Sequence, residues 1–329
     1  MVEKVPSGLR QFNWDDLQSL VDLGAECAEF DDTGELRSAE SLRTMLSLPG
    51  RNPEDTIHVL SGPGGGLIAE CGAWFLRGIE IDTVAISVQI HPGYRDHELY
   101  SRLLAVAAEC GGQICTSSNR PTELHVSVHE NQTQLKNAVE AAGYKPVRWF
   151  IQMLRDLNAP IPDTRIPDGI TIHPFDRERD SRALKLALDE SFLDHWNSID
   201  FSEEQFEHWI SSPSFRSDLS LVAYAEDGDP AAGCIGVVRE GYNLKTGSAE
   251  GHINTLGVRR PYRGRGLAKA MLSESFRRLL ESGMNAVSLE VDADNPTGAT
   301  GLYTTMGFVE RRRSAVYARS LKNKEGGAE

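Results

Sequence analysis

The chain has 329 residues, of which 40% are hydrophobic and 25% charged, the usage of an ordinary globular protein long enough for two domains. Lys and Arg number 34 against 48 Asp and Glu, a net charge of −14 that repels nucleic acid and anionic membrane and favours cationic ligands. No apolar run approaches the ~20 residues of a membrane span, the first residues hold no apolar signal core, and five cysteines without CxxC spacing predict neither disulfides nor a metal site, but a reducing cytoplasm.

The chain repeats itself. Pro6-Ser7-Gly8-Leu9 recurs as Pro167-Asp168-Gly169-Ile170, and Tyr94-Arg95 as Tyr262-Arg263. Asn131 stands before Gly143-Tyr144 as Asn295 stands before Gly307-Phe308. Ordered correspondences with slowly drifting offsets mean two copies of one domain. The expected boundaries are residues 1–157, a proline-rich linker at 158–163, residues 164–321 and a polar tail at 322–329. The linker prolines lack amide donors and resist both helix and sheet.

Each copy opens on a strand and continues into a helix with apolar residues at helical spacing, Leu17, Leu20 and Val21 in one and Leu184, Leu186 and Ala187 in the other. A second helix is predicted near 36–48 and 203–211, then strands at 57–60 and 67–75, and at 219–225 and 231–238. Gly62-Pro63-Gly64-Gly65-Gly66 lies between two strands and lacks the following Lys-Ser/Thr of a phosphate loop, so it predicts a hairpin turn. A strand at 84–90 and 252–258 runs into a basic loop and a long helix at 97–109 and 265–281. A strand at 124–128 and 286–291, a short helix and a strand at 147–154 and 313–319 close each copy. Hairpins followed by a strand–helix–strand crossover predict an α/β fold, with a mixed, mostly antiparallel sheet flanked by helices in each copy.

The chemistry concentrates in the second copy. Arg259, Arg260, Arg263 and Arg265 crowd a loop that leaves a strand and enters a helix through Gly264 and Gly266. Glycines there let backbone amides approach an anion, and the helix N-terminus adds unpaired N–H groups and a positive dipole end. The residues describe a pyrophosphate cradle.

Arg263-x-x-Gly266-x-Ala268, followed by Asn295-x-x-x-Ala299-x-x-Leu302-Tyr303-x-x-x-Gly307-Phe308, resembles the two signatures of the GNAT superfamily of acyl-CoA-dependent N-acetyltransferases. The likeness covers most of residues 168–319, and the two-copy layout resembles the tandem branch that includes mycothiol synthase. The resemblance implies two tandem GNAT-like domains, acetyl-CoA as acyl donor, and direct transfer to a primary amine of a small molecule or peptide. It implies that Leu256, Gly257 and Val258 offer backbone groups to the pantetheine arm. Arg263, Gly264, Arg265, Gly266, Leu267 and Ala268 would hold the pyrophosphate, with Asn295 and Ala299 on the cofactor side of the cleft. Tyr303 would protonate the leaving thiolate, which a phenol of pKa about 10 can do at neutral pH.

Where many members carry a catalytic Glu, this chain has His252. Neutral imidazole accepts a proton at pH 7, and strand alternation predicts His252, Asn254 and Leu256 on one face, toward the cleft. His252 is then either the base or a hydrogen-bonded strand histidine, with Glu250 and a water as the reserve base. Asp194, His195 and Trp196 are the candidates for acceptor binding, a carboxylate and an aromatic wall against an amine. The first copy has Glu98 for Gly266, Tyr100 for Ala268, Val84 for His252 and Val139 for Tyr303, so it is expected to be a non-catalytic scaffold. The competing reading of the whole chain is an acyl-CoA sensor without catalysis; an intact Tyr303 favours the enzyme.

Overall fold

The computed structural model describes residues 8–115, 120–193, 195–199, 201–213, 215–295 and 298–321. In chain order the first half carries β1 (Arg10–Gln11), α1 (Leu17–Phe30), α2 (Ala39–Leu46), the short turn α3 (Pro53–Thr56), β2 (Ile57–Ser61), β3 (Leu67–Leu76), β4 (Asp82–Ile90), α4 (His97–Ile114), β5 (Thr122–His129), α5 (Thr133–Ala141) and β6 (Lys145–Asp156). The second half repeats the succession with β7 (Ile170–Pro174), α6 (Arg177–Phe192), α7 (Glu203–Ile210), β8 (Leu221–Ala225), β9 (Pro230–Val238), α8 (Glu240–Thr246), β10 (Glu250–Val258), α9 (Leu267–Glu281), β11 (Ala286–Asp292), α10 (Ala299–Thr305) and β12 (Val309–Ser320). Helix α8 was not legible in the patterning. Local chemistry sets the helix starts: the Asp176 carboxylate caps α6 through the Arg179 amide, and Ser202 and Gln205 form a capping box at α7. The glycine tract is the predicted hairpin turn, closed by the Gly62 amide on the Gly66 carbonyl at 2.8 Å.

Tertiary contacts divide the chain differently from the sequence-order boundaries at 157 and 164. Unit 1 is Met1–Trp149 with Ser314–Glu329, and unit 2 is Phe150–Arg313. Each half sends its last strand to complete the other sheet: residues 314–320 pair antiparallel with β5, and residues 150–156 pair antiparallel with β11. The two copies present equivalent strand edges, so either closing strand satisfies either edge, as in a domain swap within one chain. The expected linker belongs to unit 2, where the buried Arg155 guanidinium donates to the carbonyls of Pro160 (2.8 Å) and Met306 (2.6 Å).

Both sheets have one topology. In unit 1, β1 to β4 are antiparallel neighbours in sequence order, β4 pairs parallel with β5, and β12 lies beyond β5. In unit 2, β7 to β10 are antiparallel, β10 pairs parallel with β11, and β6 lies beyond β11. Helices cover both faces. On one face of the unit 2 sheet, Met271, Leu272, Phe276 and Leu279 of α9 pack with Ile253, Val287 and Leu289; on the other, Leu184, Phe206 and Ile210 pack with Val222 and Ile235. Phe276 is wholly buried, and its truncation to alanine costs about 3–5 kcal/mol.

Candidate active site

Strands β10 and β11 pair over only four residues of β10, from Glu250 opposite Ala286 to Ile253 opposite Leu289, while β10 stays paired with β9 as far as Val258. The gap between the parallel strands opens a cleft of about 740 Å³ within unit 2. The register of β10 on β9 slips between Ile253 and Thr255, a bulge at Asn254.

The bulge reverses the faces of the strand. A Cβ on Gly251 would strike Leu279 of α9 at 2.4 Å, whereas one on Gly257 would strike Ser191 of α6 at 2.8 Å. Two odd-numbered residues therefore face opposite helices. His252 lies opposite Val237, which packs on the α6 side, while Leu256 packs with the α9 core. The alternation that put His252, Asn254 and Leu256 on one face is corrected: an extra residue shifts a period of two by one.

His252 lines the cleft, and its Nδ1 lies 3.0 Å from Ser288 Oγ on β11. Ser288 in turn donates to Glu250 Oε1 at 2.7 Å. With its proton given to a carboxylate, the hydroxyl accepts from Nδ1–H, which leaves Nε2 as the basic nitrogen. Glu250 is 3% exposed and does not line the cleft. Arg239 reaches its Oε1 at 2.9 Å and Arg311 its Oε2 at 2.6 Å. Burial pushes the Glu250 carboxyl up, but the Ser288 hydroxyl and the two arginines outweigh it and hold it below the usual carboxylate value. A carboxylate so clamped is a poor proton acceptor, and the expectation of Glu250 as reserve base gives way to that of a positioning group.

At the far end of β10, Gly264 and Gly266 adopt φ of +73° and +87°, the left-handed region open to glycine. Gly266 is the N-cap of α9 and no side chain caps the helix. The first-turn amides thus have no side-chain partner, and Gly264, Gly266, Leu267, Ala268 and Lys269 all line the cleft. A Cβ on Gly264 or Gly266 would point into open space, as a cradle for an anion requires. The loop arginines do other work. Arg263 lines the cleft, but its guanidinium donates to the carbonyls of Val258 (2.9 Å) and Ser191 (3.0 Å). Arg265 donates to the Asp168 carbonyl at 2.9 Å and does not line the cleft. Arg259 is bound by Glu190 and Asp229. The loop glycines, Leu267, Ala268 and Lys269 line the cleft, whereas Arg259 and Arg265 do not.

Leu256, Gly257, Val258, Asn295, Ala299 and Tyr303 line the same cleft. Tyr303 sits on α10, its ring edge-on to Phe308 with centroids 5.8 Å apart. Burial, with the nearby Cys234 thiol adding to it, raises its phenol well above the ordinary value, so it stays protonated at neutral pH. His195 lines the cleft; Trp196 does not, but its ring lies tilted against that of Phe150, which does, with centroids 6.4 Å apart. Asp194 lies outside the described residues. Sequence reasoning missed Ser288, Phe150 and Lys269. Lys269 carried a signal, a cation in the first turn of a glycine-entry helix; Phe150 was hidden because it was assigned to the first copy.

Residues 182–308 match the model of the acetyltransferase (GNAT) family. The second half of the chain carries a GNAT-family acetyltransferase domain. It is 25% identical to a mycothiol acetyltransferase of Thermobispora bispora over 92% of this chain and 96% of that protein. A GCN5-related N-acetyltransferase from Sphaerobacter thermophilus superposes with a TM-score of 0.73 at 27% identity, over 97% of this chain and 98% of that one. A tandem GNAT protein from the clavulanic acid biosynthesis pathway shares the fold, with a TM-score of 0.67 at 16% identity over 98% and 99% of the two chains. The architecture is that of two tandem GNAT-like domains, each with a mixed sheet. No helix among the described residues is long and apolar enough to cross a membrane.

The equivalent GNAT loop in unit 1 keeps its anchor and loses its cradle. Arg95 donates to the Ile90 carbonyl at 2.9 Å, as Arg263 does to Val258, and its fork is filled by Asp31 at 2.6 and 2.8 Å. The start of α4 is capped by Asp96, whose carboxylate accepts from the Leu99 amide at 2.8 Å, with Glu98 in the first turn. Two carboxylates at a helix N-terminus take the place an anion would occupy. Tyr100 and Val139 are buried in the core.

Proposed function

We propose that unit 2 transfers an acetyl group from acetyl-CoA to the primary amine of a small molecule by direct attack in a ternary complex, at one site per chain. The observation that carries this is the run Glu250–Ser288–His252 ending at the cleft that also holds Tyr303 and the glycine loop. The amides at the start of α9, with Lys269, would bind the pyrophosphate, and the edge of β10 at Leu256, Gly257 and Val258 the pantetheine arm. Once bound, acetyl-CoA supplies an activated acyl carbon.

The rest of the chemistry belongs to the chain. His252 Nε2 takes the proton of the attacking amine, and the Glu250 carboxylate, through Ser288, favours the imidazolium that forms. The Tyr303 hydroxyl gives a proton to the departing sulfur. No cysteine lines the cleft among the described residues, and the wholly buried Cys234 has its thiol pushed by burial up to about 11, which supports transfer without an acyl-enzyme. His195 and Phe150, which line the same cleft, would face the acceptor. Relatives named for mycothiol put mycothiol-related amines at the head of the acceptors to assay. Unit 1, with its capped loop, serves as a scaffold without transfer chemistry.

The test is thiol release from acetyl-CoA across a panel of small amines. Turnover with at least one, abolished in the double variant His252→Ala/Tyr303→Phe, is expected. Tight acetyl-CoA binding without thiol release for any amine would overturn the enzymatic reading and leave that of a sensor.

A further inference from the structure

Beneath α1 and α2, the sheet of unit 1 is polar where the repeat is apolar. Cys71 pairs with Val88 as Cys234 pairs with Leu256, so Glu70 corresponds to Gly233, Gly72 to Ile235 and Trp74 to Val237. In unit 2 the missing side chain at Gly233 lets Leu184 of α6 settle onto β9, and a Cβ there would meet it at 2.5 Å. In unit 1 the position holds a carboxyl, and the space between sheet and helices is a cavity of about 330 Å³ lined by Glu70, Ser87, Gln89 and Trp74, with Leu20 and Leu46 above them. That volume lies at the small end of ligand sites.

Glu70 is 4% exposed, and Ser87, with its hydroxyl 3.2 Å from Oε2, is its one hydrogen-bond partner among the described residues. Arg37 also lines the cavity, but its guanidinium turns to Met45 Sδ at 3.1 Å and to Glu35 at 3.6 Å. A buried carboxylate is costly unless a cation pairs with it. The Arg37 charge acts on Glu70 from a distance, but no cationic side chain among the described residues reaches it within hydrogen-bond distance, and the carboxyl opens onto a cavity with an aromatic wall.

We propose that unit 1 binds a small organic ammonium ion in this cavity, with Glu70 as its counter-ion, Ser87 holding the carboxylate, and Trp74, Leu20 and Leu46 enclosing the apolar body. The Trp74 ring already carries the Arg51 guanidinium 5.4 Å from its centroid, so its part here is as an apolar wall. Burial pushes the Glu70 carboxyl up to about 7, so a group that gives up its proton at neutral pH meets the entering cation. The site makes the first copy a ligand-binding domain whose repeat partner gave the same face over to packing.

The experiment titrates phenethylammonium chloride into the full-length chain, followed by calorimetry and by tryptophan emission. One site in the millimolar range or tighter is expected. Glu70→Gln, which keeps the shape and removes the charge, is expected to weaken it about tenfold or more. Gly72→Ala, whose Cβ would stand 3.1 Å from both Ile57 and Ser87 on the cavity floor, is expected to weaken it by steric filling. His252→Ala, altered in the other cleft, should bind as the parent does. Loss of binding in His252→Ala with retention in Glu70→Gln would assign the ammonium to unit 2 and overturn the proposal. Absence of binding by the parent protein up to about 10 mM would overturn it as well.

Discussion

Replacing Ser288 by alanine removes one hydroxyl from the run between Glu250 and His252 and leaves both ends in place. In the parent, Nδ1 is 3.0 Å from that hydroxyl, and the hydroxyl is 2.7 Å from a carboxylate held by two arginines. The substitution removes the hydrogen bond that sets the tautomer and cuts the imidazolium off from the buried negative charge. One hydrogen bond of this kind is worth about 0.5–1.5 kcal/mol, so kcat should fall about 2- to 13-fold. His252→Ala removes the base itself and should cost about 10²- to 10³-fold. The assay is steady-state thiol release from acetyl-CoA with a working amine, run as a pH series. In Ser288→Ala the ascending, acidic limb of kcat against pH should move to lower pH, because the imidazolium has lost its carboxylate support, while KM for acetyl-CoA stays fixed. The reasoning fails if Ser288→Ala keeps the parent rate and profile, or if it is as slow as His252→Ala.

Tyr303→Phe keeps the ring packed on Phe308 and deletes the proton donor, so kcat should drop about 10²- to 10³-fold with acetyl-CoA affinity unchanged by calorimetry; full activity would remove Tyr303 from the mechanism. Gly266→Glu should abolish acetyl-CoA binding in a folded chain, since it adds a carboxylate to the anion position at a φ of +87°. Gly266→Ala, which adds only the strain, should bind more weakly than the parent but measurably, and equal affinities of the two variants would refute the electrostatic part. Calorimetry of the parent should give one acetyl-CoA per chain, and two comparable sites would contradict the reading of Asp96 and Glu98 as occupants of the unit 1 loop. Burial raises Glu70 from an ordinary 4.5 to about 7, so its contribution to stability is complete below pH 4.5 and is lost as pH rises to about 7, by at most about 3 kcal/mol. Glu70→Gln should therefore melt higher than the parent at pH 8 and gain little at pH 4.5; the same difference at both pH values would refute this.

The sequence by itself settled what repeats and what is local. The two copies, the order of strands and helices, the hairpin at the glycine tract and the glycine entry to α9 all rest on patterns within a few residues, where period, turn chemistry and backbone freedom act. So does the contrast between Gly266 and Glu98. Tertiary structure decided what depends on pairing across the sheet. The exchange of closing strands gave Phe150 to unit 2, because two equivalent edges cannot be told apart by a strand's own residues. A bulge at Asn254, set by how β10 lies on β9, parted His252 from Leu256. Ser288 entered the site from a strand 36 positions away from His252, and the arginines that clamp Glu250 came from β9's end and from β12. A side chain's chemistry is written in its own letter, but its partners, and hence whether a carboxylate is a base or a prop, are fixed only when distant backbone is brought within hydrogen-bond reach.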